Sequence, residues 1–301
     1  MTRAELQDRI VAFAGRASIE ATPHDEGRLR ELTAPLRPGT AIYVAHPPRW
    51  TLQDVVRVAI RIRELGFPAC PHIVARALTS ERQLRLALSE LRAAGIEQVL
   101  LVGGDTPVPA GPYSSALKVL ETGATVDCGI TTVAVAGHPE GHPSIAPGLL
   151  WDALRAKQAF ALRTSTNLQV VTQFVLSPDA IFDWLRNCEA RGIALPTQVG
   201  LAGPTPLAKL VHFAMKCGVG ASLRSLSRNA GAWASLAMKA TTPEEMLTAL
   251  VRHCAAGEGA TIVQPHFFGF GGSLETARWL RKVIDGAFDL NEEGSRFFVR
   301  S

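Results

Sequence analysis

Several features are scarce or absent in this sequence, and each absence narrows the class of protein. The 301 residues include only five cysteines, which are scattered and form no C-x-x-C pair. An odd, dispersed set is typical of a reduced cytosolic protein rather than of a disulfide scaffold or a zinc site. The sequence shows no charged-then-apolar leader and no apolar run of eighteen residues. We therefore expect a cytoplasmic protein with neither export nor a membrane span.

The charge pattern excludes little but favours small anionic partners. The formal net charge is +4, and the arginines are spread along predicted helices without forming a basic block. This distribution argues against nucleic acid as a partner and leaves an anionic small molecule open. The pattern does not fix the oligomeric state, so a homo-oligomer stays open.

Strand-like and helix-like segments alternate eight times along the chain. The strand-like runs lack period-two alternation, which predicts a parallel sheet buried on both faces by helical crossovers. Eight repeats in about 300 residues predict an α/β fold, a (β/α)₈ TIM barrel that forms a single catalytic domain over residues 1–301. The predicted strands cover residues 18–22, 41–45, 70–74, 98–102, 132–136, 168–174, 197–201 and 261–268.

An open doubly wound sheet is the alternative fold. It requires a G-x-G-x-x-G phosphate fingerprint after the first strand, and none is present. Among the helices, we expect one from Thr51 to Leu65 with Thr51 as its cap, and others over residues 26–36 and 223–239. A polar tail is expected after the last helix.

Glu20 suggests the first functional hypothesis. It lies at the end of the first predicted strand, among small or apolar residues, and Pro23 ends that strand because proline cannot donate to the ladder. Burial of a carboxylate is costly and raises its pKa. A surface turn or a structural ion pair is the alternative for this residue.

Polar side chains follow nearly every predicted strand. In a (β/α)₈ barrel the carboxyl ends of the strands meet at the active-site face, so we expect these side chains in one place. For each histidine taken alone, a satisfied loop residue is the alternative. A catalytic metal is a further alternative, but no histidine pair has i, i+4 spacing on a helix and we assign no metal ligand. The set comprises Glu20, His46, His72, Asp105, His138, His142, Gln173 and His266.

Four stretches together resemble methylenetetrahydrofolate reductase in its single-domain bacterial form. Order and spacing agree over roughly residues 15–190, and Pro-Glu-x-His-Pro after the fifth strand is the most specific motif. The stretches are Ser18-Ile19-Glu20 with Pro23, then Pro71-His72-Ile73 followed by Leu101-Val102-Gly103-Gly104-Asp105, then Ala136-Gly137-His138-Pro139-Glu140-Gly141-His142-Pro143, and Val171-Thr172-Gln173-Phe174.

The resemblance implies a flavin-bearing barrel that reduces 5,10-methylenetetrahydrofolate to 5-methyltetrahydrofolate with NADH or NADPH. Glu20 resembles the general acid, Asp105 the aspartate that faces flavin and pterin, and Gln173 the pterin-binding glutamine. The tetrahydrofolate substrate would thus contact Glu20, Asp105 and Gln173. The residues implied to bind FAD are His72, Gly104, Asp105, His138, His142 and Lys157, with Lys157 on the diphosphate.

The sequence departs from the family pattern at several flavin contacts. Gly103 stands where the family commonly has an arginine, His138 replaces a tyrosine and Ala45 replaces a threonine. About five extra residues lie between Lys157 and Gln173. The family's aromatic residue and glutamine after the seventh strand are not recognisable in the run that follows Val219.

Three functions fit these observations. The first is the reductase, either through FAD or by direct hydride transfer from NADH without flavin. The second is a folate-binding methyl-transfer protein on the same barrel, without a redox cofactor. The third is a non-catalytic partner subunit in one-carbon metabolism.

Overall fold

The computed structural model describes residues 1–219 and 240–300. Eight parallel strands close into a barrel in which each strand pairs with the next along the chain and the last pairs with the first. The predicted (β/α)₈ architecture is therefore confirmed. The strands are β1 (Ser18–Ala21), β2 (Ile42–Val44), β3 (Ala69–Val74), β4 (Gln98–Val102), β5 (Thr132–Gly137), β6 (Asn167–Thr172), β7 (Thr197–Ala202) and β8 (Ile262–Phe268).

The helices surround the barrel and pack apolar faces onto the strands. In the helix after β2 the buried residues recur at helical spacing, with Val55, Val58, Ala59 and Ile62 all fully buried. The helices are α1 (Arg3–Ala14), α2 (Leu29–Thr33), α3 (Leu52–Glu64), α4 (Glu81–Ala93), α5 (Ala116–Glu121), α6 (Ala124–Asp127), α7 (Pro147–Thr164), α8 (Pro178–Ala190), α9 (Leu207–Cys217), α10 (Glu244–Ala255) and α11 (Ser273–Ile284).

The start of α3 shows how local sequence sets an element boundary. The Thr51 hydroxyl accepts a hydrogen bond from the Asp54 amide at 3.2 Å, and the Asp54 carboxylate accepts one from the Thr51 amide at 2.9 Å. This reciprocal capping box satisfies two amide donors that the first turn leaves free. The cap at Thr51 is therefore as predicted.

The inside of the barrel is unusually polar. Gln198 on β7 is 2% exposed, and its Oε1 accepts from the Ser18 hydroxyl and from Gln264 Nε2, both at 3.0 Å. Its Nε2 donates to the Tyr43 hydroxyl at 2.8 Å and to Gln169 Oε1 at 3.0 Å. Four partners on four other strands thus use the full hydrogen-bonding capacity of one amide.

One predicted helix is partly wrong, and a second cannot be compared with the structure. The helix expected over 26–36 is wrong in its first half, where Pro23–Arg28 forms a 3₁₀ helix before α2. The Asp25 carboxylate accepts from the Thr22 amide at 2.8 Å, so a tight turn begins directly after β1. The helix expected over 223–239 lies outside the described residues.

The expected polar tail is also wrong. Phe288–Leu290 and Phe297–Val299 pair as an antiparallel hairpin after α11. The Phe288 and Phe297 rings are almost fully buried and lie 4.6 Å apart between centroids. The Arg3 guanidinium donates to backbone carbonyls of the same segment, which fixes the hairpin to α1. A second short pair joins Thr205–Pro206 to Ala240–Thr241.

None of the helices in the described part of the chain has both the length and the apolar character needed to cross a lipid bilayer.

Two adjacent phenylalanines test the contribution of the hairpin to stability. Phe297 is fully buried, whereas Phe298 is 54% exposed. Phe297→Ala should lower the free energy of unfolding by about 3–5 kcal/mol, because it removes a large buried ring and leaves a cavity. Phe298→Ala, the matched control, should cost less than about 1 kcal/mol. Urea unfolding of both variants checks this, and equal costs would contradict a buried hairpin.

Candidate active site

Parallel strands bring their carboxyl ends to one end of the barrel, which we call the mouth. Glu20 lies in the last half of β1, and Asp105 follows the end of β4 by three residues. His138 and Gln173 come directly after β5 and β6. The structure therefore brings these four predicted residues to the same end of the barrel, where (β/α)₈ enzymes have their active sites.

Glu20 is nearly buried beside a histidine. Its side chain is 13% exposed, and its Oε1 lies 3.8 Å from His72 Nε2, which is too long for a hydrogen bond. Burial raises the pKa of Glu20 to about 8, and the Asp25 carboxylate adds to the effect. Burial lowers the pKa of His72 to about 3, with a further contribution from His46. At neutral pH the two groups are therefore a protonated acid and a neutral imidazole, not an ion pair.

His266 does not lie at the mouth, which corrects the expectation for this residue. It is fully buried and is paired in the ladder with Ser18, two residues before Glu20. The Ser18 hydroxyl donates its one proton to Gln198, so at 2.8 Å it accepts from His266 Nδ1. The proton of the imidazole is thus on Nδ1, and Nε2 is left without a partner in the described part of the chain.

Asp105 follows β4, three strands from β1 around the mouth, and lies on an exposed loop. It makes no hydrogen bond or ion pair within the described residues. Burial raises the pKa of the Cys217 thiol at the end of α9, and the carboxylates of Asp105 and Glu20 act in the same direction. Cys217 therefore lies within electrostatic reach of both carboxyl groups.

The two glycines before Asp105 play different structural parts. A Cβ on Gly104 would lie 2.4 Å from Val74 Cγ1, and its φ of +92° is one that glycine adopts without strain. A Cβ on Gly103 would meet nothing within 4 Å. Position 104 therefore requires glycine for both its backbone conformation and its close contact with Val74. Position 103 has open space beside it, where a side chain would fit.

His138, His142 and Lys157 form a second group beside the end of β5. The His138 and His142 rings are 5.3 Å apart between centroids. Burial lowers the pKa of Lys157 to about 8. Burial, His142 and Lys157 together lower the pKa of His138 to about 4. Lys157 is partly exposed and has no anionic partner in the described ranges, so its ammonium group is only partly withdrawn from water.

A cavity of about 240 Å³ adjoins this group. It lies between the loop after β5 and helices α7 and α8, and Trp151 and Trp184 form its apolar walls. Glu140 is a carboxylate on the same lining. Since Leu150, Leu154 and Lys157 follow one another at helical spacing on α7, the lysine continues the face that lines the cavity.

Gln173 presents an unused donor group at the mouth. Its backbone amide donates to the Gly137 carbonyl at 2.8 Å, which fixes the strand end. Its Oε1 accepts from the Phe174 amide at 3.1 Å. The side-chain NH₂ is left without a partner in residues 1–219 and 240–300, so the amide is oriented with its donors available.

Sequence reasoning missed the polar interior beneath the mouth. Gln169, Gln198 and Gln264 are each the second or third residue of a strand. Glutamines at corresponding places in three apolar strands are a sequence signal that indicates a polar layer inside the barrel. In the described part of the chain, no group of three or more histidine, cysteine or acidic residues has an arrangement suited to a metal ion.

Comparison with known proteins identifies the family. A family model described as methylenetetrahydrofolate reductase matches residues 53–221, which is more than half of the chain. The chain belongs to the methylenetetrahydrofolate reductase family. The family assignment makes the protein an enzyme of folate-dependent one-carbon oxidation and reduction. The matched range includes Asp105, His138 and Gln173 but begins after Glu20.

A crystal structure of dihydropteroate synthase from Thermus thermophilus aligns over 90% of this chain and 92% of that chain, with 14% sequence identity and a TM-score of 0.45. The barrel is established here by its own strand pairing.

The raised pKa of Glu20 predicts a specific pH dependence of stability. The folded protein holds a proton that the unfolded chain, with a pKa of 4.5, has released, so this contribution is lost as pH rises from 4.5 through about 8. Glutamine does not titrate. The stability of Glu20→Gln relative to the parent should therefore increase by about 1 kcal/mol or more between pH 5 and pH 8.

Denaturant unfolding at several pH values measures this difference. Glu31→Gln, at an exposed glutamate of α2, is the matched control for the substitution itself. A difference that stays constant over the whole pH range would mean that Glu20 is ionised in the folded protein.

Proposed function

We propose that the protein interconverts 5,10-methylenetetrahydrofolate and 5-methyltetrahydrofolate, with NADH or NADPH as the hydride source. In the reducing direction, one hydride and one proton are added and the methylene bridge becomes a methyl group. The observation that carries the proposal is Glu20, a carboxyl group that is protonated at neutral pH and lies at the mouth. Five free cysteines suit a reduced compartment, and we propose the cytoplasm.

Glu20 acts as the general acid in this proposal. Protonation of a folate nitrogen opens the methylene bridge and gives an iminium cation, so the donor must hold its proton near pH 7. Burial gives Glu20 this property, and among the described residues no cation lowers its pKa. His72 is neutral at this pH and adds no positive charge beside Glu20.

Asp105 and Gln173 bind and orient the pterin. The Asp105 carboxylate offers negative charge toward the cationic iminium, and such charge is most effective when it is in place before the cation forms. The unused NH₂ of Gln173 offers donors to the acceptor atoms of the pterin. Glu20, Asp105 and Gln173 together would therefore fix the folate with its bridge near the acid.

The residues beside β5 fit a phosphate-bearing cofactor. Lys157 is a partly buried cation with no anionic partner in the described part of the chain, and a diphosphate would supply that anion. His72, His138, His142 and the exposed backbone at Gly104 and Asp105 would complete the FAD site, which the cavity of about 240 Å³ adjoins. When bound, FAD supplies the hydride chemistry between nicotinamide and folate.

A second candidate is the same reduction by direct hydride transfer from NADH without flavin. The open space at Gly103, where the family commonly has an arginine, and the absence of a hydroxyl at Ala45 both favour this mechanism. NADH oxidation with methylenetetrahydrofolate, measured with and without added FAD, separates the two. Oxidation that requires FAD supports the first mechanism, and equal rates support the second.

Glu20→Gln should lower the rate of folate reduction by about 100- to 10,000-fold, because glutamine keeps the shape but supplies no proton. Transfer from NADH to added FAD should stay near the parent rate, since that half-reaction needs no folate protonation. Rapid mixing of each half-reaction measures the effect, with Glu31→Gln as the control. An unchanged folate half-reaction would show that another group is the acid.

Lys157→Ala should weaken FAD binding about tenfold or more, because it removes a charge-assisted contact. Quenching of flavin fluorescence during titration of the apoprotein measures the affinity. Lys118→Ala, at an exposed lysine of α5, is the control and should leave the affinity unchanged. If the parent binds no FAD yet oxidises NADH with the folate, the FAD proposal is wrong and direct transfer remains.

A further inference from the structure

The loop after β4 carries Asp105, and its buried core residue, Tyr113, lies eight residues further along the chain. It covers residues 103–115 and contains Pro107, Pro109 and Pro112, which have no amide hydrogen to donate. Asp105 and its neighbours are exposed, and Val108 is 79% exposed. The position of the Asp105 carboxylate therefore depends on contacts from outside the loop.

Arg76 supplies these contacts from the adjacent strand end. It lies in the single turn of 3₁₀ helix, Ala75–Ala77, that follows β3. Its Nε donates to the Thr106 carbonyl at 2.7 Å, and its two terminal nitrogens donate to the carbonyls of Pro107 at 2.6 Å and Ser114 at 2.9 Å. One planar group thus joins the two arms of the loop.

The backbone of Arg76 adds two further bonds. Its amide donates to the Gly103 carbonyl at 3.0 Å, and its carbonyl accepts from the Ala110 amide at 2.8 Å. Gly103 and Thr106 flank the Gly104–Asp105 dipeptide, so Arg76 holds the chain on both sides of Asp105. A Cβ on Gly104 would be 3.7 Å from Arg76 Cβ, which shows how closely the two segments approach.

We propose that Arg76 is a positioning residue for Asp105. It acts through the loop rather than by touching the folate, because its guanidinium is occupied by three backbone carbonyls. The proposal rests on the proposed function, since it takes from there the role of Asp105 toward the cationic intermediate. A displacement of about 1 Å in a catalytic group is enough to lower rates substantially.

A double-mutant cycle tests this proposal on the full-length protein. The variants are Arg76→Ala, Arg76→Lys, Asp105→Asn and the double variant Arg76→Ala with Asp105→Asn. Arg82→Ala is the matched control, because Arg82 is an exposed arginine on α4 that makes no hydrogen bond or ion pair in the described residues. The measurements are kcat and KM for methylenetetrahydrofolate, thermal unfolding, and hydrogen exchange of residues 103–114.

Arg76→Ala should lower kcat/KM about tenfold or more in the parent and less than about threefold in the Asp105→Asn background, because coupled residues are not additive. Arg76→Lys should resemble Arg76→Ala, since one compact ammonium group cannot replace three separate guanidinium nitrogens that each bind a different carbonyl. Exchange over 103–114 should become faster in both variants. Arg82→Ala should match the parent in every measurement.

Equal losses in the two backgrounds would overturn the proposal, and so would an unchanged kcat/KM in Arg76→Ala when Asp105→Asn is impaired. If Asp105→Asn itself is unimpaired, the role of Asp105 in the proposed function is wrong. Hydrogen exchange over residues 103–114 in Arg76→Ala then tests on its own whether Arg76 holds the loop. Faster exchange supports that role, and unchanged exchange overturns it.

Discussion

The hydrogen bonds of Gln198 are the interaction on which the barrel interior depends. Polar side chains enclosed by strands are costly unless every donor and acceptor is paired. The Gln198 side chain forms hydrogen bonds with four such groups, on Ser18, Tyr43, Gln169 and Gln264. It therefore connects strands that are not neighbours in the sheet. It also fixes the direction of the Ser18 hydroxyl and thereby the position of the proton on His266.

The state of Glu20 follows from the neutrality of this interior. Burial lowers the pKa values of His72 and His266 to about 3, and burial raises those of Tyr43 and Cys70. At neutral pH, therefore, none of these groups carries a charge that would stabilise a carboxylate above them. Burial and the Asp25 carboxylate raise the pKa of Glu20, and the neutral groups beneath it do not oppose them, so Glu20 keeps the proton that an acid catalyst requires.

Much of this fold and part of the site could be predicted from the sequence. Apolar strands with helical crossovers have a strong local signal, and the strand ends of a parallel barrel converge whatever the side chains are. The placement of His266 could not be predicted, because the stagger between strands decides which inward residues share a layer. The role of Arg76 could not be predicted either, because it binds backbone carbonyls, which every residue type has.

The C-terminal hairpin was missed for a different reason. Its buried positions, Phe288 and Phe297, are separated by a polar turn that dominates the local composition. Packing against α10 and α11 and the hydrogen bonds from Arg3 of α1 stabilise the two short strands, since an isolated hairpin would be marginal.

The division of charge between loop and interior has a consequence for solution conditions. Asp105 is exposed at the rim, while the groups beneath Glu20 are neutral and enclosed. Charges in contact with solvent are screened over about 8 Å at physiological ionic strength, and buried contacts are screened far less. With Asp105 in its proposed role, added salt should weaken the attraction for the cation without impeding the proton transfer that creates it. Varying the ionic strength should thus change how tightly the iminium cation is bound without changing how fast it is formed.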